Sequence, residues 1–252
     1  MTTPASKAPS RRQSYWDASR SPRYSLLFAL PLLVFYEALA VARPVRVGGG
    51  EIRNGADVIL REASYALLGV WGPTVLLAVV MLVCVLLVRR DMKRGGGLRL
   101  STFGLMFAEA AVLSVAFGLV VGSATAELLG HIRPLLMGPI QNMDLPTRLM
   151  LSLGAGLYEE LLFRVLLVGG LAMGGRVVLG LSRFTSGAIA TVIGALAFSA
   201  FHYVGAYGEP WQLQSFVFRA ISGVVFSVLY LTRGFGITAW THALYDIGVL
   251  IG

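Results

Sequence analysis

The chain has 252 residues, 56% of them hydrophobic and only 13% charged, with a mean hydropathy of +0.73. A soluble globular domain carries about 25% charged residues, so this composition excludes the soluble fold classes and marks an integral membrane protein. The formal net charge of +8 reads as loop arginines that orient the chain in the membrane rather than as a nucleic-acid surface, and the single cysteine, Cys84, excludes an intrachain disulfide or a paired-cysteine metal site.

Residues 1–23 are polar and basic, with Lys7, Arg11, Arg12, Arg20 and Arg23 among Ser and Pro, and read as a disordered cytoplasmic tail. The first apolar run covers residues 24–42. Its end, Ala40-Val41-Ala42, resembles a signal-peptidase site, but the run approaches the roughly 20 residues of a membrane span rather than the 7–15 of a signal core. Residues 43–69 are mixed, and Asp57 to Glu62 with their surroundings predict a short amphipathic helix at the interface. A second span is expected over 70–88, followed by a basic glycine-rich loop, and a third over 100–121 carrying Glu109. The connector 123–146 contains Pro134, Pro139 and Pro146 and reads as partly re-entrant or interfacial. Four further spans follow, over about 149–172, 186–203, 212–231 and 235–251. The expectation is an all-α polytopic bundle of about seven spans, divided into the tail 1–23, N-terminal helices and connectors over 24–147, and a C-terminal core over 148–252. With the tail inside, the Lys and Arg of the inner segments outnumber those of the outer segments about two to one, which puts the N-terminus in the cytoplasm and the C-terminus outside.

The chemistry lies in ionisable residues inside these spans. A charge at the bilayer centre costs at least about 2.5–3.5 kcal/mol and is a functional signal by default. The fourth span carries Tyr158-Glu159-Glu160-Leu161-Leu162-Phe163-Arg164. On an α-helix Glu160 and Arg164 share a face, whereas Glu159 points about 100° away and is the carboxylate left over to face a cavity. The fifth span ends on Phe198-Ser199-Ala200-Phe201-His202, with Phe198 and His202 on one face. The seventh carries His242 and Asp246, again four apart. Three helices thus each present an inward polar group of hydrolytic type. A carboxylate in an apolar site activates water as a general base, a histidine beside it shares that water, and a second histidine holds a developing oxyanion. No G-x-S-x-G or H-E-x-x-H motif is present. Glu159, His202, His242 and Asp246 are also legitimate ligands for a divalent metal such as zinc, and their spacing leaves that alternative open.

The ordered trio E-E-x-x-x-R, F-x-x-x-H and H-x-x-x-D, in successive late apolar segments, resembles the CPBP family of intramembrane proteases, which includes the type II CAAX prenyl endopeptidases and bacteriocin-processing proteins. The resemblance covers about residues 148–252. It implies a helical bundle with a polar cavity inside the membrane and cleavage of a membrane-anchored protein or peptide. It implies Glu159 as general base with His202 beside it, His242 and Asp246 on the oxyanion side, and Glu160, Arg164 and Phe198 in support. The eukaryotic CAAX proteases carry Asn where this chain has Asp246. An ionised aspartate cannot donate to an oxyanion, so Asp246 is either protonated, orients His242 or binds a metal. Two other functions are weighed: a non-catalytic scaffold or immunity protein of the same fold, and a proton-coupled transporter with Glu37, Glu109 and Glu159 as its relay. The implied location is a bacterial inner membrane.

Overall fold

A computed structural model describes residues 14–251, apart from 43, 45, 48, 49, 96, 131–142, 206 and 207. In a bilayer every backbone N–H and C=O must be satisfied within the protein, which leaves helices as the natural answer for long apolar segments. Among the described residues five helices are long and apolar enough to cross a membrane: Pro22–Ala42 (α2), Gly55–Arg94, Leu100–Leu129 (α5), Arg183–Phe201 (α8) and Leu213–Arg233 (α9). The second comprises the amphipathic helix α3 (Gly55–Leu68), a single 3-10 turn and α4 (Gly72–Gly95). Two further helical stretches complete the apolar segments expected. One is the sequence α6 (Leu145–Gly154), a π-helix (Ala155–Val168) and α7 (Gly169–Val177). The other is the shorter α10 (Phe235–Ile251).

Local chemistry sets the helix ends. Asn54 starts α3 by accepting from the Ala56 N–H, Asp144 starts α6 by accepting from Thr147, and Ser182 starts α8 by accepting from Thr185. The only strands among the described residues are a two-residue antiparallel pair, β1 (Arg46–Val47) and β2 (Gly50–Glu51), in the connector before α3.

Helix α10 is central. It packs against α5, α2, α9 and the π-helix, and its buried face runs from Gly236 to Ala243. Small residues permit that approach. A side chain at Gly156 in the π-helix would run into the Ala239 carbonyl and Ala243 of α10, and one at Gly223 in α9 would meet the Cα of Ala195 in α8 at 2.7 Å. Three apolar clusters hold the bundle: Leu32, Tyr36, Leu153 and Ala243 join α2, the broken helix and α10; Tyr24, Phe28, Met106 and Ile237 join α2, α5 and α10; Phe117, Val121 and Phe226 join α5 and α9.

The tail reading needs correction. Residues 1–13 lie outside the described residues, but Tyr15–Arg20 form a helix, α1, and Ala18, Ser19 and Arg23 are buried. The reason is an ion-pair cluster invisible in composition. Arg233 at the end of α9 binds Glu109 of α5 at 2.5 Å and Ser19 at 3.0 Å, Trp16 lies 3.6 Å from the Arg233 guanidinium, and Tyr15 hydrogen-bonds Glu109. Burial and the Glu109 carboxylate raise the Tyr15 hydroxyl above its ordinary range. The connector expected over 123–146 is also shorter: α5 continues to Leu129 and α6 begins at Leu145, and the re-entrant reading of its centre falls on 131–142, outside the described residues.

Candidate active site

The Glu159-Glu160 stretch does not sit on an ordinary α-helix. Its hydrogen bonds widen to the π register, shown where the Gly169 N–H donates to the Arg164 carbonyl five residues back. π turns are rare and concentrate at functional sites. The α-helical offset between the two glutamates is therefore replaced by a wider turn, yet both side chains remain buried, at 6% and 0% exposure.

Each glutamate serves a different neighbour. The Glu159 Oε1 accepts from Asn54 Nδ2 at 2.8 Å, and its Oε2 lies 4.0 Å from His202 Nε2. His202 Nδ1 is 2.9 Å from the Phe198 carbonyl. A carbonyl only accepts, so Nδ1 carries the hydrogen and neutral His202 turns a bare Nε2 toward Glu159. The 4.0 Å gap is too long for a direct hydrogen bond and is the kind of separation that one water bridges. Glu160 faces the other histidine: its Oε1 is 2.7 Å from His242 Nδ1. His242 Nε2 then points toward Asp246 Oδ2 at 3.6 Å. Both imidazoles are thus anchored through Nδ1 and aim Nε2 at a carboxyl group.

Phe198 links the two halves. Its ring lies edge-on to His202 at 5.0 Å and to His242 at 6.2 Å. The Arg164 guanidinium stacks over the same ring at 4.3 Å, an arrangement that favours arginine over lysine. Arg164 Nε is 3.2 Å from Glu160 Oε2, within ion-pair range, but the atoms are not aligned for a hydrogen bond and none of the three guanidinium nitrogens has a hydrogen-bond partner. The contact is a buried charge pair supported by aromatic faces.

All seven residues singled out in the sequence, Glu159, Glu160, Arg164, Phe198, His202, His242 and Asp246, therefore lie in one chain of contacts. Sequence reasoning missed two members. Asn54 was hidden because it comes from the start of α3, 105 residues before its carboxylate partner; its only local signal is that of a helix cap. Phe226 of α9 stacks on His242 at 4.4 Å, and in the sequence it is one apolar residue among many.

Glu109 lies outside this chain, and Glu37 connects to it only remotely, through Arg53, Asp57, Tyr36 and Asn54. Glu37 is bound by Arg53 at 3.2 Å, Arg61 at 3.0 Å and the Tyr158 hydroxyl at 2.9 Å, while Glu109 is bound by Arg233 and Tyr15. Among the described residues no group of three or more His, Cys, Asp or Glu side chains is gathered to hold a metal ion. The contact of His242 Nδ1 with Glu160 leaves His242 Nε2 facing Asp246.

A comparison with curated proteins found no match, and a comparison with solved structures found none. Residues 141–248 match the family model described as type II CAAX prenyl endopeptidase Rce1-like, a span that contains every site residue named above except Asn54. That match agrees with the CPBP resemblance carried by the three motifs, and with the apolar helices it makes residues 141–248 of this integral membrane protein a type II CAAX prenyl endopeptidase Rce1-like domain, of a protease family.

Proposed function

We propose that the protein is an intramembrane endopeptidase that hydrolyses a peptide bond in a membrane-anchored protein or peptide, using water activated by Glu159 with His202. The observation that carries this reading is the paired presentation of Glu159 Oε2 and His202 Nε2 across 4.0 Å, in a site where Asn54 holds the other carboxylate oxygen.

In this mechanism a water between the two groups gives its proton to Glu159 while its oxygen adds to the scissile carbonyl carbon. The carbonyl electrons move to oxygen. In its imidazolium form His242 offers Nε2–H to that oxyanion, while Glu160 holds the ring through Nδ1 and the Asp246 carboxyl group, 3.6 Å from Nε2, favours the positive charge. Collapse re-forms the carbonyl and breaks the C–N bond, and the proton taken from water passes to the departing amine, with His202 placed to relay it. Asp246 acts on His242 and needs no donor function of its own.

The proposed location is a bacterial inner membrane, with the N-terminus in the cytoplasm. The test is Glu159→Gln, which keeps volume and removes the base. Membrane proteomes of cells carrying the wild-type protein and the variant are compared for anchored proteins that lose their processed form. Retained processing by a folded Glu159→Gln variant ends the proposal. The transporter reading is weakened by the pairing of Glu37 and Glu109 in separate ion clusters, since a relay needs acids free to exchange protons.

A further inference from the structure

We infer that Glu159 is reached from the face of the membrane opposite the basic helix ends, so that the protein acts on peptide segments displayed outside the cytoplasm. The part concerning substrates rests on the peptidase reading; the orientation stands on its own observations.

The first observation is which helix ends meet. The Arg23 N–H donates to Asp91 at the end of α4, the Arg99 N–H before α5 donates to the Tyr24 hydroxyl, Arg233 at the end of α9 binds Ser19, and the Gly236 N–H at the start of α10 donates to Ser25. In α8 and α9, Ala195 lies against Gly223 and Ser199 bonds the Phe216 carbonyl. These two helices are antiparallel, and Arg183 falls at the same end as Arg233. This end also carries Arg89, Arg90, Lys93 and Arg94. At the other end Arg53 and Arg61 pair with Glu37 and Asp57, and Arg219 pairs with Glu209. Lys and Arg accumulate on the cytoplasmic side of membrane helices, so the first end is cytoplasmic.

The second observation is where the site lies between those ends. His202 is the residue that follows α8, and its carbonyl accepts from the Glu209 N–H in the next loop. Asn54 is the residue that precedes α3. Both belong to the non-cytoplasmic end, and Glu159 is held against them. Asp246 lies only five residues before the end of α10, whose Leu250 carbonyl binds Arg148 at 2.7 Å, also at that end.

The third observation is closure of the cytoplasmic end. There α1 crosses α5, α9 and α10, with Trp16 over Arg233 and with Tyr24, Phe28, Met106 and Ile237 packed beneath. The Trp240 indole N–H, one turn above, bonds the Phe28 carbonyl at 2.6 Å. A peptide entering from that side meets the Arg233–Glu109 ion pair and this packed layer before it meets Glu159.

The experiment is cysteine accessibility in intact cells. In a Cys84→Ser background, Val204→Cys marks the site end and Lys93→Cys marks the basic end; both positions are exposed. With a membrane-impermeant maleimide, Val204→Cys is expected to label in intact cells and Lys93→Cys only after permeabilisation. The reverse pattern, or labelling of both in intact cells, overturns the inference. Repeating the measurement in Glu159→Gln separates the two readings, because that substitution leaves labelling unchanged even where it removes, or fails to remove, peptide cleavage.

Discussion

The carboxamide of Asn54 donates to the carboxylate of Glu159 at 2.8 Å, and it does so from outside the family-matched span. The same side chain starts α3 through its Oδ1 on the Ala56 N–H, and its own N–H donates to the Tyr36 hydroxyl at 3.1 Å. One residue thus ties the N-terminal helices to the reacting carboxylate. A hydrogen bond to a charged group contributes about 1.5–3 kcal/mol. Asn54→Ser keeps a capping oxygen but withdraws the amide donor. We expect its turnover to fall roughly 10- to 100-fold with little change in thermal unfolding, measured on the substrate that the Glu159→Gln comparison identifies. Unchanged turnover would show that the bond does not position the base.

Arg164 and Glu160 form a charge pair exposed by 1% and 0%. Breaking a buried pair by removing one partner costs about 3–5 kcal/mol. Arg164→Ala is expected to lower the unfolding temperature in detergent sharply and to reduce expression. Arg164→Lys keeps the charge but loses the flat stacking on Phe198 and Phe226, and should recover only part of that loss. A lysine variant as stable as wild type would refute the stacking argument.

The Arg233–Glu109 pair fastens α1 to the bundle. Arg233→Ala and Glu109→Ala each strand a partner, and their effects should not add. A double-mutant cycle on thermal stability is expected to give a coupling of about 1–3 kcal/mol. Limited proteolysis within α1, with cleavage after Arg20, should accelerate in either single variant. Additive effects with unaltered proteolysis would mean that α1 is held elsewhere.

Gly156 sets how closely the π-helix meets α10. A new Cβ there would lie 2.7 Å from the Ala243 Cβ and 2.9 Å from its backbone N, and a backbone neighbour cannot swing aside. Gly156→Val should force the helices apart. Overpacking of this kind costs about 1–3 kcal/mol, and because His242 stands on the same face of α10, turnover should fall with stability. Gly170→Ala, with nothing within 4 Å of its added Cβ, is the control and should be silent in both measurements.

The helices, their order and most of the site were legible because hydropathy and four-residue spacing are properties of short windows. His242 and Asp246 or Glu160 and Arg164 announce themselves within one turn. What was hidden depends on partners far along the chain. Asn54 looks like a cap and nothing more, Ser14–Arg23 looks like a tail, and only Arg233 and Glu109, more than 120 residues apart, turn Tyr15–Arg20 into a buried helix. The π register of Ala155–Val168 was invisible for another reason: its apolar pattern fits either winding.

That winding makes the spacing of the glutamates, the arginine and Gly156 depend on surplus chain. A π turn holds about one more residue than an α turn. Deleting a single residue between Gly169 and Arg164 would let the segment relax into the commoner coil and swing one flank relative to the other by about 100°. Length here is as much a determinant as side-chain identity. Homologues that keep every motif letter yet differ by one position in this stretch should be sorted by whether they retain hydrolysis.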